Sequence, residues 1–299
     1  MKVDFFLIGA AKSGTTSMAR YLSEHPEICF ANPKEPQFFS SDYATTSPHD
    51  GTLESYHSLF FNHYDPQKHR VVGEGSVFYL PSEVAVKKIL EYNPDARFIV
   101  MLRNPVDMAI SWHSDLCLGG HETCLSFLDA WNMQELRKQG KKIPFSCIEP
   151  KLLQYKEFCS VGTQIQEFIK NIDRERVCFI FFDDFAQDPK SEYEKILIFL
   201  GVSPDNRSEF PPANTGRQWE NPLSAYIYRV MLFLIKLKRS LGVRKGFGLT
   251  HFIGKRLATT RRDRGCDLDE MRNFLSKEFV EQVMLLEAIF NRRMTSWSK

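Results

Sequence analysis

Two glycines and a lysine near the start of the chain have the spacing of a phosphate-binding loop. In "LIGAAKSGTTSM", residues 7–18, Gly9 and Gly14 fit the pattern G-x-x-x-x-G-K-[ST], but Thr15 stands where that pattern has its lysine. Such a loop turns backbone amides and the positive end of a helix dipole toward an anion. The alternative is a tight strand-to-helix turn that binds nothing. The residues that would form the anion site are Lys12, Ser13, Gly14, Thr15 and Thr16.

The displaced lysine indicates which anion the loop would hold. In a P-loop NTPase the lysine after the second glycine reaches the β- and γ-phosphates, and the hydroxyl after it holds Mg²⁺. Here the lysine is at position 12 and Thr15 takes its place, which favours a shorter anion held without a metal ion. A 5′-phosphate that carries one further group fits this description.

A second anion-binding pattern lies in "MLRNPVDMAISWHS", residues 101–114. Arg103 ends an apolar run typical of a buried strand, and Ser111 follows on the next predicted helix. Arginine binds phosphate through a planar, bidentate fork, so we expect a second phosphate near these residues. In the alternative interpretation Arg103 caps a carbonyl group or pairs with Asp107.

A candidate general base lies in "NPKEPQFF", residues 32–39. Glu35 is held between two prolines after the second predicted strand, and a carboxylate in such a place can accept a proton from an attacking hydroxyl or amine. Lys34 could assist as a second cation on the bound anion, but neighbouring side chains usually diverge. We therefore expect Lys34 to point away from Glu35 and rank it below Lys12 as a catalytic cation. The alternative is an exposed Lys34–Glu35 charge pair with no function.

The order of the predicted elements indicates how these residues are positioned. Apolar runs typical of buried strands alternate with helical patterns, which favours a parallel sheet with helices on both faces. We predict an α/β, P-loop-like three-layer fold with a central parallel sheet flanked by helices. The predicted strands are 3–8, 28–31, 96–103 and 176–185, and 70–80 is predicted to be a strand followed by a turn. The predicted helices are 16–26, 82–94, 105–116, 152–172, 190–202 and 277–294.

The chain shows no repeat, linker or low-complexity tract over its 299 residues. We therefore predict a single domain, 1–299, with its core at about 3–217. The late helices, 218–299, include a basic amphipathic pattern at 223–241 and would pack on the core or cover an acceptor site. Segment 41–70 fits no element.

Composition excludes several classes of protein. A net charge of +2 does not favour nucleic-acid binding. Seven cysteines without a C-x-x-C pair favour reduced, structural thiols. No apolar run reaches the roughly 18 residues of a membrane-spanning helix, and no signal peptide is evident, so we expect a cytoplasmic protein. The oligomeric state stays open.

Together, "KSGTT", "RNPVDMAIS" and "KEPQFF" resemble the sulfotransferase family that uses 3′-phosphoadenosine 5′-phosphosulfate (PAPS), in particular its heparan-sulfate sulfotransferase-like branch and bacterial relatives. The resemblance implies PAPS as co-substrate, 3′-phosphoadenosine 5′-phosphate (PAP) as product, and metal-independent, in-line transfer. It also implies that residues 12–16 hold the 5′-phosphosulfate, that Arg103 and Ser111 hold the 3′-phosphate, that Glu35 is the base, and that Lys12 neutralises the leaving phosphate oxygen.

Two departures from the family pattern concern the acceptor. Gly75 stands where relatives often have the lysine of G-E-K-[ST]-P, and Gln37 stands where some glycan-modifying members have histidine. We therefore expect a small-molecule acceptor with a hydroxyl or amine, and a heparan-type glycan is the alternative. A P-loop kinase or NTPase using Asp183 or Asp184 for a metal ion, and a non-catalytic relative, are further hypotheses.

Several residues are left with open roles. Either Arg217 or the pair Arg244 and Lys245 in "RKGFG" would complete the 3′-phosphate site. None of the eight histidines fits a zinc pattern, so we expect no metal site. His57 and His63 lie six residues apart in segment 41–70, and their roles stay open. His113 either lines the acceptor pocket or bonds to a neighbour on a helix face.

Overall fold

A computed structural model describes residues 1–45, 47–213, 217–219, 226–227, 230, 258–260 and 266–297. Its residues form two compact units. The sheet unit comprises Met1–Asn104, Val161–Asn214 and Met284–Arg292, and the helical unit comprises Pro105–Ser160, Thr215–Val283 and Arg293–Lys299. Whether the two units form the predicted single domain stays a prediction.

The sheet unit contains a five-stranded, all-parallel sheet. Its strands are almost wholly buried and consist of continuous apolar runs, as expected where helices cover both faces. The order is β2-β3-β1-β4-β5, with Phe5 of β1 beside Gly73 on one side and Arg97 on the other. The strands are β1 (Phe5–Gly9), β2 (Ile28–Phe30), β3 (Val71–Gly75), β4 (Arg97–Leu102) and β5 (Val177–Phe181).

Helices cover each face of the sheet. Phe5 and Leu7 pack in one cluster with α1 (Thr15–Ser23), α9 (Phe182–Gln187) and α10 (Pro189–Leu200). The side chains of opposite parity, Phe6 and Phe98, face the other layer, where Phe6 contacts Tyr79 and Phe98 contacts Phe168. That layer contains α2 (Leu53–Phe60), α3 (Ala85–Tyr92) and α8 (Val161–Ile169). The predicted fold class is confirmed.

The strand order places the predicted site residues at one edge. The chain leaves central β1 toward β2 and β3 on one side and then returns to β4 and β5 on the other. Ligands of such sheets bind beyond the carboxyl ends of the strands at this reversal. The glycine loop follows β1, Glu35 follows β2, Ser76 follows β3 and Arg103 follows β4, so all four segments leave the same edge.

The helical unit packs largely through aromatic side chains. Trp112 stacks on Phe158 with ring centroids 4.5 Å apart, and Trp131 meets Phe274 and Phe279 edge to face. Its described elements are α4 (Pro105–Leu118), α5 (Phe127–Asn132), α6 (Gln134–Lys138), α7 (Tyr155–Phe158), α11 (Cys266–Glu278) and the antiparallel strands β6 (Arg217–Trp219) and β7 (Ala258–Thr260). Helix α12 (Val280–Phe290) runs from this unit into the sheet unit.

Three predicted elements are corrected. The predicted helix 152–172 is wrong as a continuous helix: α7 ends at Phe158 and α8 begins at Val161, where the chain passes between the units. The predicted strand 176–185 ends at Phe181, because the acidic first turn of α9 begins there. The final helix is interrupted at Phe279, whose side chain is fully buried. Most of the predicted helix 223–241 lies outside the described residues.

Segment 41–70, unassigned from sequence, contains α2. The Thr52 hydroxyl caps this helix by accepting from the Ser55 amide at 3.1 Å. None of the described helices is long and apolar enough to cross a membrane. Within the described part of the chain six cysteines are free thiols, in agreement with the sequence: Cys29, Cys117, Cys124, Cys147, Cys159 and Cys178.

Candidate active site

The glycine loop joins β1 to α1 at the carboxyl edge of the sheet. Gly9 (φ 141°) ends β1 so close to β4 that a Cβ atom here would lie 2.2 Å from the Met101 carbonyl oxygen. Gly14 (φ 87°) precedes α1 in the left-handed region, and a Cβ there would press on the rings of Phe182 and Phe185. Both positions therefore require glycine for reasons of backbone geometry.

The start of α1 offers backbone donors to an anion. The first amides of an α-helix have no acceptor within the helix, and Thr15 and Thr16 occupy that end of α1. Ser13 is fully buried, and its hydroxyl donates to the Ala10 carbonyl oxygen at 2.5 Å, which braces the loop. Lys12 is half-buried with a left-handed φ of 64°. These residue types fit a phosphate or sulfate, and their roles in binding stay predictions.

Arg103 contacts the glycine loop directly. Its Nη1 donates to the Lys12 carbonyl oxygen at 2.5 Å, and its guanidinium lies 4.5 Å from the centroid of the Phe182 ring. Arg103 therefore caps a carbonyl group, as the first part of the alternative interpretation predicts. The second part has Arg103 paired with Asp107, but Asp107 pairs with Arg272 inside the helical unit. The arginine helps to shape the loop, and its contact with a 3′-phosphate stays a prediction.

The loop after β2 is tied to the end of β3 by three hydrogen bonds. The Glu35 amide donates to the Gly75 carbonyl oxygen at 3.0 Å, the Val77 amide donates to Glu35 Oε2 at 2.9 Å, and the Gln37 amide donates to Ser76 Oγ at 3.0 Å. Glu35 is held with a left-handed φ of 68°. These bonds fix the carboxylate of Glu35 at the carboxyl edge of the sheet, where a general base would have to be.

Lys34 belongs to the same cluster, contrary to the expectation from sequence. Its Nζ donates to Glu35 Oε1 and lies 3.4 Å from Thr15 Oγ1, the hydroxyl at the position of the P-loop lysine. The side chains of Lys34 and Glu35 are 17% and 29% exposed. The prediction that the two side chains diverge is wrong, because the left-handed backbone at Glu35 turns them to the same side. A carboxylate, an ammonium group and the phosphate loop thus meet at one point.

Glu74, which the sequence analysis missed, is a fully buried carboxyl group behind this cluster. Among the described residues neither carboxyl oxygen has a partner that meets the distance and angle of a hydrogen bond. The nearby hydroxyls of Tyr56 and Tyr79 and the charges of Glu35 and Lys34 nevertheless influence the pKa of Glu74. Burial raises the pKa of Glu74 to about 8. Two signals in the sequence pointed to it: an acidic residue in the run that forms β3, and its place as the glutamate of the G-E-K-[ST]-P family pattern.

Replacing Glu74 with glutamine is expected to reduce the loss of stability that occurs as the pH rises from about 5 to 8. The folded pKa of about 8 exceeds the usual 4.5, so between these values the unfolded chain loses a proton that the folded chain retains. This group therefore lowers the free energy of unfolding by at most about 1.4 kcal/mol for each pH unit from about 5 to 8. Urea unfolding at pH 5 and pH 8 should show a smaller pH dependence in Glu74→Gln than in wild type.

A matched control for this experiment is Glu91→Gln. The Glu91 side chain is 63% exposed on the surface of α3, and its variant should follow the pH dependence of wild type. If the free energy of unfolding changes by the same amount between pH 5 and pH 8 in Glu74→Gln and in wild type, Glu74 is already ionised in the folded protein at pH 5.

The remaining predicted phosphate ligands belong to the helical unit or lie outside the described residues. Ser111 is half-buried on α4 in the helical unit, whereas Arg103 belongs to the sheet unit. The backbone of Arg217 lies in β6, and Arg244 and Lys245 lie outside the described residues. Their part in a 3′-phosphate site stays a prediction.

The three histidines whose roles the sequence leaves open have protein partners. The Nε2 atoms of His57, His63 and His113 bond to the Tyr92 hydroxyl at 3.0 Å, the Phe30 carbonyl oxygen at 3.1 Å and the Cys124 carbonyl oxygen at 2.8 Å. Within the described ranges no group of three or more His, Cys, Asp or Glu side chains could hold a metal ion.

Asp184, a candidate metal ligand in the NTPase hypothesis, is engaged elsewhere. Arg292 donates to its two carboxylate oxygens at 2.5 and 2.7 Å. This bidentate pair lowers the pKa of Asp184. The pairing ties the segment that follows α12 to α9 and gives the carboxylate a structural role.

Comparison with known proteins supports the resemblance read from these motifs. Residues 2–212, more than half of the chain, match a family model described as a sulfotransferase domain. A sulfotransferase from Alicyclobacillus acidocaldarius has a similar structure, with 27% identity, a TM-score of 0.69 and coverage of 100% of both chains.

Two curated relatives match parts of the chain. The membrane-associated sulfotransferase kil1 of Dictyostelium discoideum is 31% identical over 108 residues, which cover 36% of this chain and 22% of that protein. The human bifunctional heparan sulfate N-deacetylase/N-sulfotransferase 2 is 24% identical over 204 residues, which cover 67% of this chain and 22% of that protein. The chain thus spans about a fifth of the length of these relatives. With the family model covering both the glycine loop and the Glu35 loop, the chain belongs to the sulfotransferase family, whose members are transferases.

Proposed function

We propose that this protein transfers a sulfuryl group from PAPS to a hydroxyl or amine of a small-molecule acceptor. The observation that carries the proposal is the cluster at the carboxyl edge of the sheet. There a fixed carboxylate, Glu35, shares the ammonium group of Lys34 with Thr15 of the glycine loop. A loop suited to a phosphate-linked donor thus lies beside a group able to deprotonate an acceptor.

The loop fits the donor that family membership suggests. Gly14 adopts the left-handed conformation that precedes α1, and the backbone amides of residues 13–16, together with the hydroxyls of Thr15 and Thr16, would be neutral donors for phosphate oxygens. Lys12 would add the positive charge. In a P-loop the lysine after the second glycine binds the γ-phosphate. This chain has Thr15 at that position, so the loop itself offers a γ-phosphate no lysine there.

In the proposed reaction Glu35 accepts the proton of the attacking hydroxyl or amine. The acceptor forms a new bond to sulfur while the bond from sulfur to the 5′-phosphate oxygen breaks, and that oxygen keeps the electron pair. Lys12 and the amides at the start of α1 stabilise the charge on this oxygen. Catalysis then depends on position and electrostatics, without a covalent intermediate on the protein.

The acceptor is proposed to be a small molecule because two positions differ from glycan-modifying relatives. Position 75 is glycine where the family pattern has lysine, and position 37 is glutamine where some glycan-modifying members have histidine. The Gln37 side chain contacts the Thr45 hydroxyl in segment 41–70. The name of the human relative points instead to a heparan-type glycan. Incubation with PAPS and a panel containing small alcohols, phenols, amines and heparan oligosaccharides, read as an 80-Da gain (about the mass of SO₃) by mass spectrometry, decides between these classes.

Calorimetry with PAP, ADP and ATP, each with and without Mg²⁺, tests the use of PAPS. We expect PAP to bind independently of Mg²⁺, and more tightly than ADP, because it carries a 3′-phosphate. Binding of ATP that requires Mg²⁺, together with weak binding of PAP, would favour the kinase or NTPase hypothesis and overturn the proposal.

Arg103→Ala is expected to weaken PAP binding by roughly 2 to 3 kcal/mol, the cost of a lost charge-assisted contact. Because Arg103 also holds the Lys12 carbonyl group, the same titration should be done with adenosine 5′-monophosphate, which has no 3′-phosphate. A loss confined to PAP supports a 3′-phosphate contact, and an equal loss for both nucleotides assigns Arg103 to the loop alone. Arg70→Ala, at a side chain that is 61% exposed, is the control and should leave both affinities unchanged.

A further inference from the structure

The side chain of Lys34 occupies the space that Gly75 leaves at the end of β3. A Cβ atom at position 75 would lie 3.3 Å from Lys34 Cε and 3.2 Å from Phe30 Cζ. Both distances are shorter than ordinary carbon contacts, so a side chain at position 75 and the present position of Lys34 compete for one site. The stem of Lys34 is 83% buried there, since only 17% of the side chain is exposed.

The ammonium group of Lys34 therefore reaches the glycine loop from the loop that follows β2. It lies 3.4 Å from Thr15 Oγ1, and Thr15 is the residue that replaces the P-loop lysine. A cation is thus present near the first turn of α1 although the loop sequence lacks one at this position. The cation is supplied by residue 34, two strands away from β1 across β3.

The same ammonium group contacts Glu35 Oε1, so it bridges the loop and the base. In sulfuryl transfer the donor lies on the loop and the acceptor lies beside the base, and the moving group passes between them. A sulfuryl group has three oxygens that share negative charge, and a lysine supplies up to three donors. Lys34 contacts Thr15 on the donor side of this path and Glu35 on the acceptor side.

We propose that Lys34 binds the sulfuryl oxygens of PAPS and, in doing so, gives up its contact with Glu35. This inference rests on the proposed function. The sulfuryl group competes with the carboxylate for Lys34, so donor binding leaves Glu35 Oε1 accessible to the proton of the acceptor. Lys34 is then a catalytic residue that couples donor binding to the availability of the base, and Gly75 is the residue that makes room for it.

The alternative is that Lys34 only holds Glu35 in place. The two roles differ in what they predict for PAPS and PAP, which are identical except for the sulfuryl group. A contact with that group affects PAPS alone, whereas a purely structural lysine affects both nucleotides or neither. The ratio of the two dissociation constants therefore reports the contact without an acceptor.

The experiment measures Kd for PAP and PAPS by calorimetry in wild type and in Lys34→Met, which removes the charge and retains a stem to cover Gly75. We expect PAP affinity within about twofold of wild type and PAPS affinity weakened about tenfold or more, as for a lost charge-assisted hydrogen bond. Lys88→Met is the control, because Lys88 is an exposed residue of α3 and donates to Ser41 Oγ at 2.6 Å. It should leave both constants unchanged.

A second variant moves the lysine from position 34 to position 75. In Lys34→Ala/Gly75→Lys the space vacated by the stem accommodates a lysine on β3, and we expect the PAPS-to-PAP ratio to return to within about threefold of wild type. Lys34→Ala alone should not recover it.

The outcomes separate this inference from the proposed function. If wild type binds neither PAP nor PAPS, both are overturned. If wild type binds both and Lys34→Met leaves their ratio unchanged, only the role of Lys34 is overturned, whether the two affinities stay the same or fall equally. A selective loss of PAPS affinity that the transplanted lysine restores supports it.

Discussion

Glu35→Gln is expected to lower turnover by about 10²-fold or more while PAP affinity stays near that of wild type. A glutamine side chain can still accept the hydrogen bond from the Val77 amide, which Glu35 Oε2 now accepts at 2.9 Å, but it cannot take up a proton. General-base catalysis typically contributes about 10²- to 10⁴-fold. The substitution therefore separates proton transfer from the architecture of the loop.

Turnover is measured as product formation at saturating PAPS with an acceptor from the mass-shift screen, and PAP affinity is measured by calorimetry. Glu194→Gln, at a side chain that is 52% exposed on α10, is the matched control and should behave as wild type. An unimpaired rate in Glu35→Gln would remove Glu35 from the role of base. A large loss of PAP affinity would instead assign the ion pair with Lys34 to donor binding.

The strands of the sheet were predictable because burial on both faces leaves continuous apolar runs. The run 96–103 corresponds to β4 at Arg97–Leu102, and the run 3–8 corresponds to β1 at Phe5–Gly9. The break between α7 and α8 was not predictable in the same way. Helical periodicity continues across residues 159 and 160, and only the passage of the chain from one unit to the other interrupts it.

The glycine loop could be predicted because the spacing of its glycines reflects its backbone conformation. The contact between Lys34 and Glu35 could not be predicted, because it depends on an uncommon backbone conformation. The spacing of Gly9 and Gly14 reflects a turn that both residues make with positive φ, so the pattern and the structure agree. The convergence of Lys34 and Glu35 depends on the left-handed φ of 68° at Glu35, a conformation that non-glycine residues seldom adopt. No periodicity in the sequence signals it.

Residues 118–150 have no predicted helix or strand. This stretch contains a buried ion pair in the helical unit: the side chains of Arg137 and Glu122 are 1% and 0% exposed. Arg137 donates to both carboxylate oxygens, at 2.7 and 2.9 Å, and the Tyr155 hydroxyl donates to Oε2 at 2.7 Å. The pairing joins positions 15 residues apart, a distance at which local sequence patterns carry no information.

Arg137→Met is expected to lower the free energy of unfolding by about 3 to 5 kcal/mol, because it leaves the Glu122 carboxylate buried without its counter-charge. Lys138→Met, at a neighbouring side chain that is 60% exposed, should change it by less than about 1 kcal/mol. Urea unfolding at pH 7 measures both. A loss below about 1 kcal/mol in Arg137→Met would show that Glu122 is stabilised by its other donors alone.

The pH dependence of the same pair provides an independent check. Burial alone would raise the pKa of Glu122, but the hydrogen bonds from Arg137 and Tyr155 outweigh it and lower the pKa below its usual value. The folded chain therefore releases this proton at a lower pH than the unfolded chain does, and the resulting stability, present above the usual pKa of 4.5, is lost as pH falls through the folded value. In Glu122→Gln/Arg137→Met this acid-labile contribution should disappear. Because the double variant leaves no unpaired charge, it should also be more stable at pH 7 than Arg137→Met, which identifies the orphaned carboxylate as the cause of the loss in the single variant.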